Sequence, residues 1–248
     1  MKTIISTLFL AFFSLAALQA QYNNSFFIGA NGGGNFSKFK FTEDLAELYP
    51  NSNPVFGLNG GVTVGFEIQN FTLSSGIQYI QKGAEYQTAN FEDEVGTGFF
   101  TGKEKLHYLS IPVLVGYREY IAPRFALSIA IGPSFNFGLG GNLDETTEYF
   151  GTDEVKMDNY KILFGNGLNE DYRPVQLGFQ VSPGVVVTLN QNSKITFNVT
   201  WDSGISDMFN QRYKDANEFF DINKGDQLTR STVFSVGYEY HFNFADRY

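Results

Sequence analysis

The sequence predicts an all-β chain, an eight-stranded antiparallel up-and-down transmembrane β-barrel with short periplasmic turns and long extracellular loops. Three observations predict it. Apolar residues alternate with small or polar ones over eight long segments. The connections between those segments alternate between tight turns and long loops. An export signal precedes them all.

The signal occupies residues 1–20. Lys2 supplies the positive start, and Ile4 to Leu18 is an apolar run broken only by Thr7 and Ser14. Leu18-Gln19-Ala20 then ends in a small residue before Gln21. The run is shorter than the ~20 residues of a membrane-spanning helix. Export by the general secretory pathway with cleavage near Ala20 is therefore expected, and residues 21–248 are expected to form one outer-membrane barrel domain. The chain has no cysteine, which excludes a lipoprotein anchor, a disulfide framework, a thiolate zinc site and a cysteine nucleophile. A formal charge of −9 gives no footprint for nucleic acid. The 27 Phe, 14 Tyr and 26 Gly fit β architecture better than a helical bundle.

The first strand is expected over about 25–37, with Phe26, Ile28 and Ala30 on one face and Phe27, Gly29, Asn31, Gly33 and Asn35 on the other. The second, about 55–68, sets Phe56, Leu58, Val62, Val64, Phe66 and Ile68 against Gly57, Asn59, Gly61, Thr63, Gly65 and Glu67. The third covers about 70–83, and the fourth about 104–118 with Leu109, Ile111, Val113, Val115 and Tyr117 on its apolar face. The fifth runs over about 124–139, the sixth over 174–189 and the seventh over 193–206. In the eighth, every second residue from Thr232 to Phe244 is large, opposed by Ser231, Val233, Ser235, Gly237, Glu239, His241 and Asn243. These segments far exceed the ~5–6 residues of soluble strands and the ~9–11 that cross a bilayer.

Tight turns are expected at Gln69-Asn70, Glu119 to Pro123 and Asn190 to Asn192, and long loops over about 38–54, 84–103, 140–173 and 207–228. Both termini then lie in the periplasm. In the first loop Thr42 to Tyr49 reads as a short helix ended by Pro50. A soluble barrel of lipocalin type shares the alternation with its apolar face turned inward. The Gly, Ser and Thr crowding on the polar face suits a narrow lumen instead, and aromatics gather at strand ends as interfacial girdles do.

Ser235-Val236-Gly237-Tyr238-Glu239-Tyr240-His241-Phe242 resembles the C-terminal signal read by the barrel-assembly machinery, with Gly237, Tyr240 and Phe242 as its key residues. Six residues follow Phe242, so the signal is slightly internal. In the fourth strand, Tyr108-Leu109-Ser110-Ile111-Pro112-Val113-Leu114-Val115-Gly116-Tyr117 resembles a segment of the PorT-like outer-membrane β-barrel family, whose relatives also carry the label "porin family". The resemblance implies an OmpX/OmpA-like eight-stranded barrel. It also implies an alternative role, as a subunit of a type IX-like secretion apparatus. Pro112 lies on the polar-facing set and suggests a bulge.

A barrel of eight strands has a lumen that side chains fill, so a small-solute channel is the weaker alternative. The inward charges are Glu67, Lys82, Arg118, Lys194, Asp202, Glu239 and His241. Of these, Glu67, Arg118, Glu239, His241, Lys194 and Asp202 are the candidate lumen charge network, since buried charges must pair. An enzyme is not expected. The chain has two histidines, and Ser110 lies three positions from His107, on the opposite face of a strand. No catalytic, cofactor-binding or metal residues are assigned and no cofactor is expected; the acidic third loop lacks the spacing of a calcium site. Tyr86, Phe99, Phe100, Tyr149 and Phe150 are candidate recognition residues for a protein or glycan partner at the extracellular loops. Outer-membrane lipid, lipopolysaccharide and the barrel-assembly machinery are the other expected partners, and a monomer is expected.

Overall fold

A computed structural model describes residues 24–42, 44–88, 90–92, 96–151, 155–167, 170–209 and 226–244. The expected signal at 1–20 lies outside the described residues. The elements are β1 (Ser25–Phe41), α1 (Asp44–Leu48), β2 (Asn51–Ile68), β3 (Phe71–Gln87), β4 (Phe91–Glu92), β5 (Thr97–Ala122), β6 (Phe125–Tyr149), β7 (Val155–Ile162), β8 (Val175–Asn190), β9 (Ser193–Gly204) and β10 (Gln227–Asn243). Eight of the strands form a ring in the order β1-β2-β3-β5-β6-β8-β9-β10. The ring closes where β10 pairs with β1, from Ser25 opposite Asn243 to Phe41 opposite Gln227. Each strand runs antiparallel to its neighbours, so no edge is left along the barrel wall.

The period-2 pattern decides which way each residue points. On β10, Phe234, Val236, Tyr238, Tyr240 and Phe242 face outward and are exposed, while Thr229, Ser231, Glu239 and His241 face the lumen and are buried. On β2, Phe56, Leu58, Val62, Val64, Phe66 and Ile68 point outward and Glu67 inward. The apolar face is therefore the outside of the barrel. That arrangement is opposite to a soluble lipocalin, and water could not solvate so continuous an apolar surface. On β1 the outward band runs from Phe26 to Phe36; at ~3.3 Å per residue and a tilt of ~40° it stands about 25 Å tall, the height of an outer-membrane barrel's apolar band. Among the described residues no helix is long and apolar enough to cross a membrane.

The short turns are Gln69-Asn70, Pro123-Arg124 and Gln191-Asn192. Gln69 adopts a left-handed φ of 56°. At the opposite end the strands run further than the alternation indicates. β5 starts at Thr97 and β6 reaches Tyr149, and Gly98 to His107 pair continuously with Tyr149 to Gly140. Parts of the expected loops 84–103 and 140–173 are thus strand, with β4 and β7 added to the hairpin. The cause is the change of solvent. Above the bilayer the outward positions become Glu85, Lys103, Lys105, Asp144 and Glu148, which hides the apolar alternation while backbone pairing continues.

Pro112 is not at a bulge. It pairs in register opposite Ser134, and the β3–β5 ladder keeps one register on either side of it. Proline lacks the N–H that the ladder needs, but it keeps its carbonyl, which accepts a hydrogen bond from Ser75 Oγ at 2.8 Å. The register shifts fall elsewhere, at Pro54/Asn59, His107/Tyr108, Tyr120/Ala122 and Thr188/Asn190.

Candidate functional site

The lumen is closed at two levels with a polar cavity between them. The periplasmic level is built from the ends of five strands. Arg118 of β5 donates from Nη1 to Glu67 Oε2 at 2.6 Å and from Nη2 to Glu239 Oε1 at 2.7 Å. Lys194 of β9 reaches both Glu67 oxygens at 2.8 and 3.0 Å and Tyr120 Oη at 2.7 Å. Tyr120 in turn donates to Glu67 Oε1 at 2.8 Å. His241 Nε2 lies 3.0 Å from Glu239 Oε2, and its Nδ1 lies 2.9 Å from Ser25 Oγ. Two cations offset two carboxylates, and almost every polar atom has a hydrogen-bonded partner, the condition under which buried charges are tolerated. Phe27 stacks on His241 at 5.1 Å and lies 5.4 Å beneath the Arg118 guanidinium. Gly65 makes room for it: a Cβ there would come 2.5 Å from the Phe27 ring.

Above this level lies a cavity of about 130 Å³ lined mainly by Ser, Thr, Asn and Gln side chains. Ser110 Oγ and Asn59 Nδ2 are buried here with no protein partner. A polar space of this size is large enough to hold water.

The outer level begins with Lys82 and Asp202, 2.7 Å apart and fully buried. Asn136 and Ser134 extend the contact. Around it packs an apolar cluster of Phe39, Ile80, Leu106, Tyr108, Met208 and Val233, with Ile80 and Val233 on the cavity side, joined by Ile162 and Tyr172 from the connection between β6 and β8. Glu104 of β5 tops this cluster. It accepts hydrogen bonds from Tyr86 Oη at 2.6 Å and Tyr172 Oη at 2.7 Å. Its neighbours Lys103 and Lys105 point outward, so this level projects beyond the bilayer. Burial pushes the Glu104 carboxyl up to about 7; the two phenol bonds pull it back and Asp171 adds to the rise.

Five of the six expected network residues meet: Glu67, Arg118, Glu239, His241 and Lys194. Asp202 does not. It lies on the outer half of β9 and pairs with Lys82. Among the recognition candidates, Tyr86 is on β3, buried within the mouth and beyond the reach of a partner. Phe100 is on β5 and packs toward Tyr49 at 6.3 Å. Phe99 and Phe150 lie 5.8 Å apart on the outer hairpin, and Tyr149 ends β6. In the expected assembly signal, Gly237 faces the lumen opposite Asn31 and Thr196, while Tyr240 and Phe242 face outward with rings 5.0 Å apart. Among the described residues no group of three or more acidic or histidine side chains is placed to hold a metal ion.

Sequence reasoning missed Ser25, Tyr120, Glu104, Tyr172 and Gln227, whose Nε2 donates to Tyr172 Oη at 3.3 Å. Glu104 was within reach: it continues the inward set of Tyr108 and Leu106 two residues further. Ser25, His241 and Glu239 have the connectivity of a hydrolytic relay. Ser25 is 2% exposed, and Glu239 also binds Arg118. The trio acts as a hydrogen-bond chain within the plug. His107 lies elsewhere, facing outward with its Nδ1 2.6 Å from Tyr79 Oη.

An apolar-outside, eight-stranded ring with a charged, filled lumen defines an integral outer-membrane β-barrel. The sequence model of the outer membrane protein beta-barrel domain family matches residues 19–210, and the chain belongs to that family. Similar solved structures include Neisserial surface protein A, at 14% identity over 88% of this chain and 97% of that one, with a TM-score of 0.45. OprG of Pseudomonas aeruginosa is 12% identical over 90% and 98%, with a TM-score of 0.43. A major outer membrane protein of Thermus thermophilus is 13% identical over 88% and 99%, with a TM-score of 0.39. No curated protein matches the chain.

Proposed function

We propose that this barrel is a non-enzymatic outer-membrane protein that acts through its wall and its extracellular surface, not by passing solutes. The observation that supports this reading is the double closure of the lumen: the Arg118 network on one side, and the Lys82–Asp202 pair with its apolar cluster on the other. Transport through the barrel would require two buried ion-pair sets to separate, each at a cost of several kcal/mol. In planar bilayers the purified protein is expected to show no steady conductance. A steady large conductance would establish the small-solute channel instead.

Export with signal cleavage near Ala20, insertion by the barrel-assembly machinery through Gly237, Tyr240 and Phe242, and life as a monomer complete the reading. Outer-membrane lipid surrounds the wall. The acidic hairpin β6–β7, with Phe99, Tyr149 and Phe150, is the surface for a protein or glycan partner. A second reading, a subunit of a type IX-like secretion apparatus, is favoured by the PorT-like segment Tyr108 to Tyr117 in β5. A deletion strain scored for secreted proteins separates the two. For the absence of hydrolysis, the buried Ser25 is expected not to react with a fluorophosphonate probe in folded protein; stoichiometric labelling at Ser25 would reopen the enzyme reading.

A further inference from the structure

The outer wall is not uniform. On β1 the outward positions between Ile28 and Phe36 are Ala30, Gly32 and Gly34; the Phe56 ring lies over Gly34, and the surface is recessed at Ala30 and Gly32. A Cβ on Gly32 would have open space before it, with nothing nearer than 3.8 Å. The recess forms an apolar cleft with Pro183 and Val185 of β8 and with Phe197, Val199, Phe234 and Val236 of β9 and β10. Further up β1, β9 and β10, the outward residues Phe36, Trp201 and Thr232 line a second cleft, and above them come Lys38 and Arg230. A third cleft continues from these two cations to Lys40 and Tyr49. The three clefts thus follow one line up the wall, apolar below and cationic above.

The cations are placed against ordinary strand chemistry. Lys38 and Arg230 are directly opposite each other on neighbouring strands, where like charges repel. Lys38, Lys40 and Arg230 have no ion-pair partner among the described residues, although the whole chain is acidic. The carboxylate lining the middle cleft, Asp202, points into the lumen and is held by Lys82. Lys38 and Arg230 are the first outward residues above the aromatic ring of Phe36, Phe56 and Trp201, which puts them at the level of the outer-leaflet headgroups. Repelling cations at that depth call for an external anion, and an anion with apolar chains fits the recess below.

We infer that the outer wall over β9, β10 and β1 is a binding site for a phosphorylated glycolipid of the outer leaflet, with its phosphate on Lys38, Lys40 and Arg230 and an acyl chain along the recess at Gly32. The site rests on the membrane orientation of the barrel. The test is native mass spectrometry of the full protein released from detergent micelles doped with lipid A, with lipid A stripped of its phosphates, or with inorganic phosphate. The wild type is expected to retain one lipid A, and to retain neither the stripped lipid nor free phosphate. The variant K38Q/K40Q/R230Q is expected to bind at least about tenfold more weakly, as the loss of three interfacial cations implies. The variant K156Q/K161Q, on β7, is expected to bind as the wild type does. Heat-modifiable gel mobility confirms that each variant is folded. Equal retention of lipid A by the triple variant, equal retention of the stripped lipid, binding of inorganic phosphate alone, or a protein dimer occupying the face would each overturn the inference. Failure of the membrane orientation shows separately, as protein that stays soluble without detergent.

Discussion

Arg118 holds two buried carboxylates apart and satisfies both. Replacing it by Ala leaves Glu67 with Lys194 as its one cation and Glu239 with a histidine. Breaking such a set costs about 3–5 kcal/mol, so R118A is expected to unfold at a clearly lower temperature in heat-modifiable gel mobility. An unchanged transition would show that the network does not hold the barrel together. Glu104 makes a prediction of opposite sign. Its carboxyl is raised from 4.5 to about 7 in the folded mouth, so the fold retains a proton that the opened chain releases. Its contribution is fully present below pH 4.5, is lost as the pH rises from 4.5 to 7, and changes no further above that. Amide exchange at Tyr172 is expected to quicken across that window beyond the intrinsic rate, and E104Q is expected to abolish the excess. The inward charges were legible in the sequence because each interrupts a face of small residues. Asp202 shared that face with Lys194 but is eight residues from it, ~26 Å of strand, and depth along a strand decides which charges meet. Ser25 and Tyr120 carried no signal, since a serine or a tyrosine is ordinary at a strand end.

At the level of elements, the outer closure depends on the segment between β7 and β8 entering the mouth. Phe164 packs on Tyr108 at 5.4 Å and on Tyr172 at 5.8 Å. Gly138 on β6 leaves the space for it: a Cβ there would run into the Phe164 ring. G138V is expected to expel Phe164 and to make the Leu163 to Tyr172 stretch cleavable by chymotrypsin, which cuts after its aromatic residues, while the barrel stays folded in the gel. Continued resistance would place the closure elsewhere. The membrane part of every strand was readable from alternation because lipid selects one face. The outer parts of β5 and β6 were not, because with water outside both faces are free to be polar and backbone pairing leaves no trace in composition. Tyr86 was misplaced for the same reason: it was assigned to a loop, whereas β3 continues to Gln87 and turns it inward.

The whole molecule is an outer-membrane barrel whose lumen is closed at two levels. The eight-strand order, the direction of the faces and the alternation of turns and loops were all present in the sequence, since they follow from one period and one solvent. The sealing was only partly present, because it depends on a connecting segment folding back into the mouth. The absence of cysteine allows the sealed arrangement to be tested position by position. Single cysteines at Glu47 on α1, at Gln191 in a periplasmic turn and at Ser74 in the central cavity can be challenged with a membrane-impermeant maleimide. A sealed lumen predicts that Glu47→Cys is labelled on intact cells, Gln191→Cys only after the outer membrane is permeabilised, and Ser74→Cys in neither case until the barrel is unfolded. Rapid labelling of Ser74→Cys in the folded barrel would contradict it.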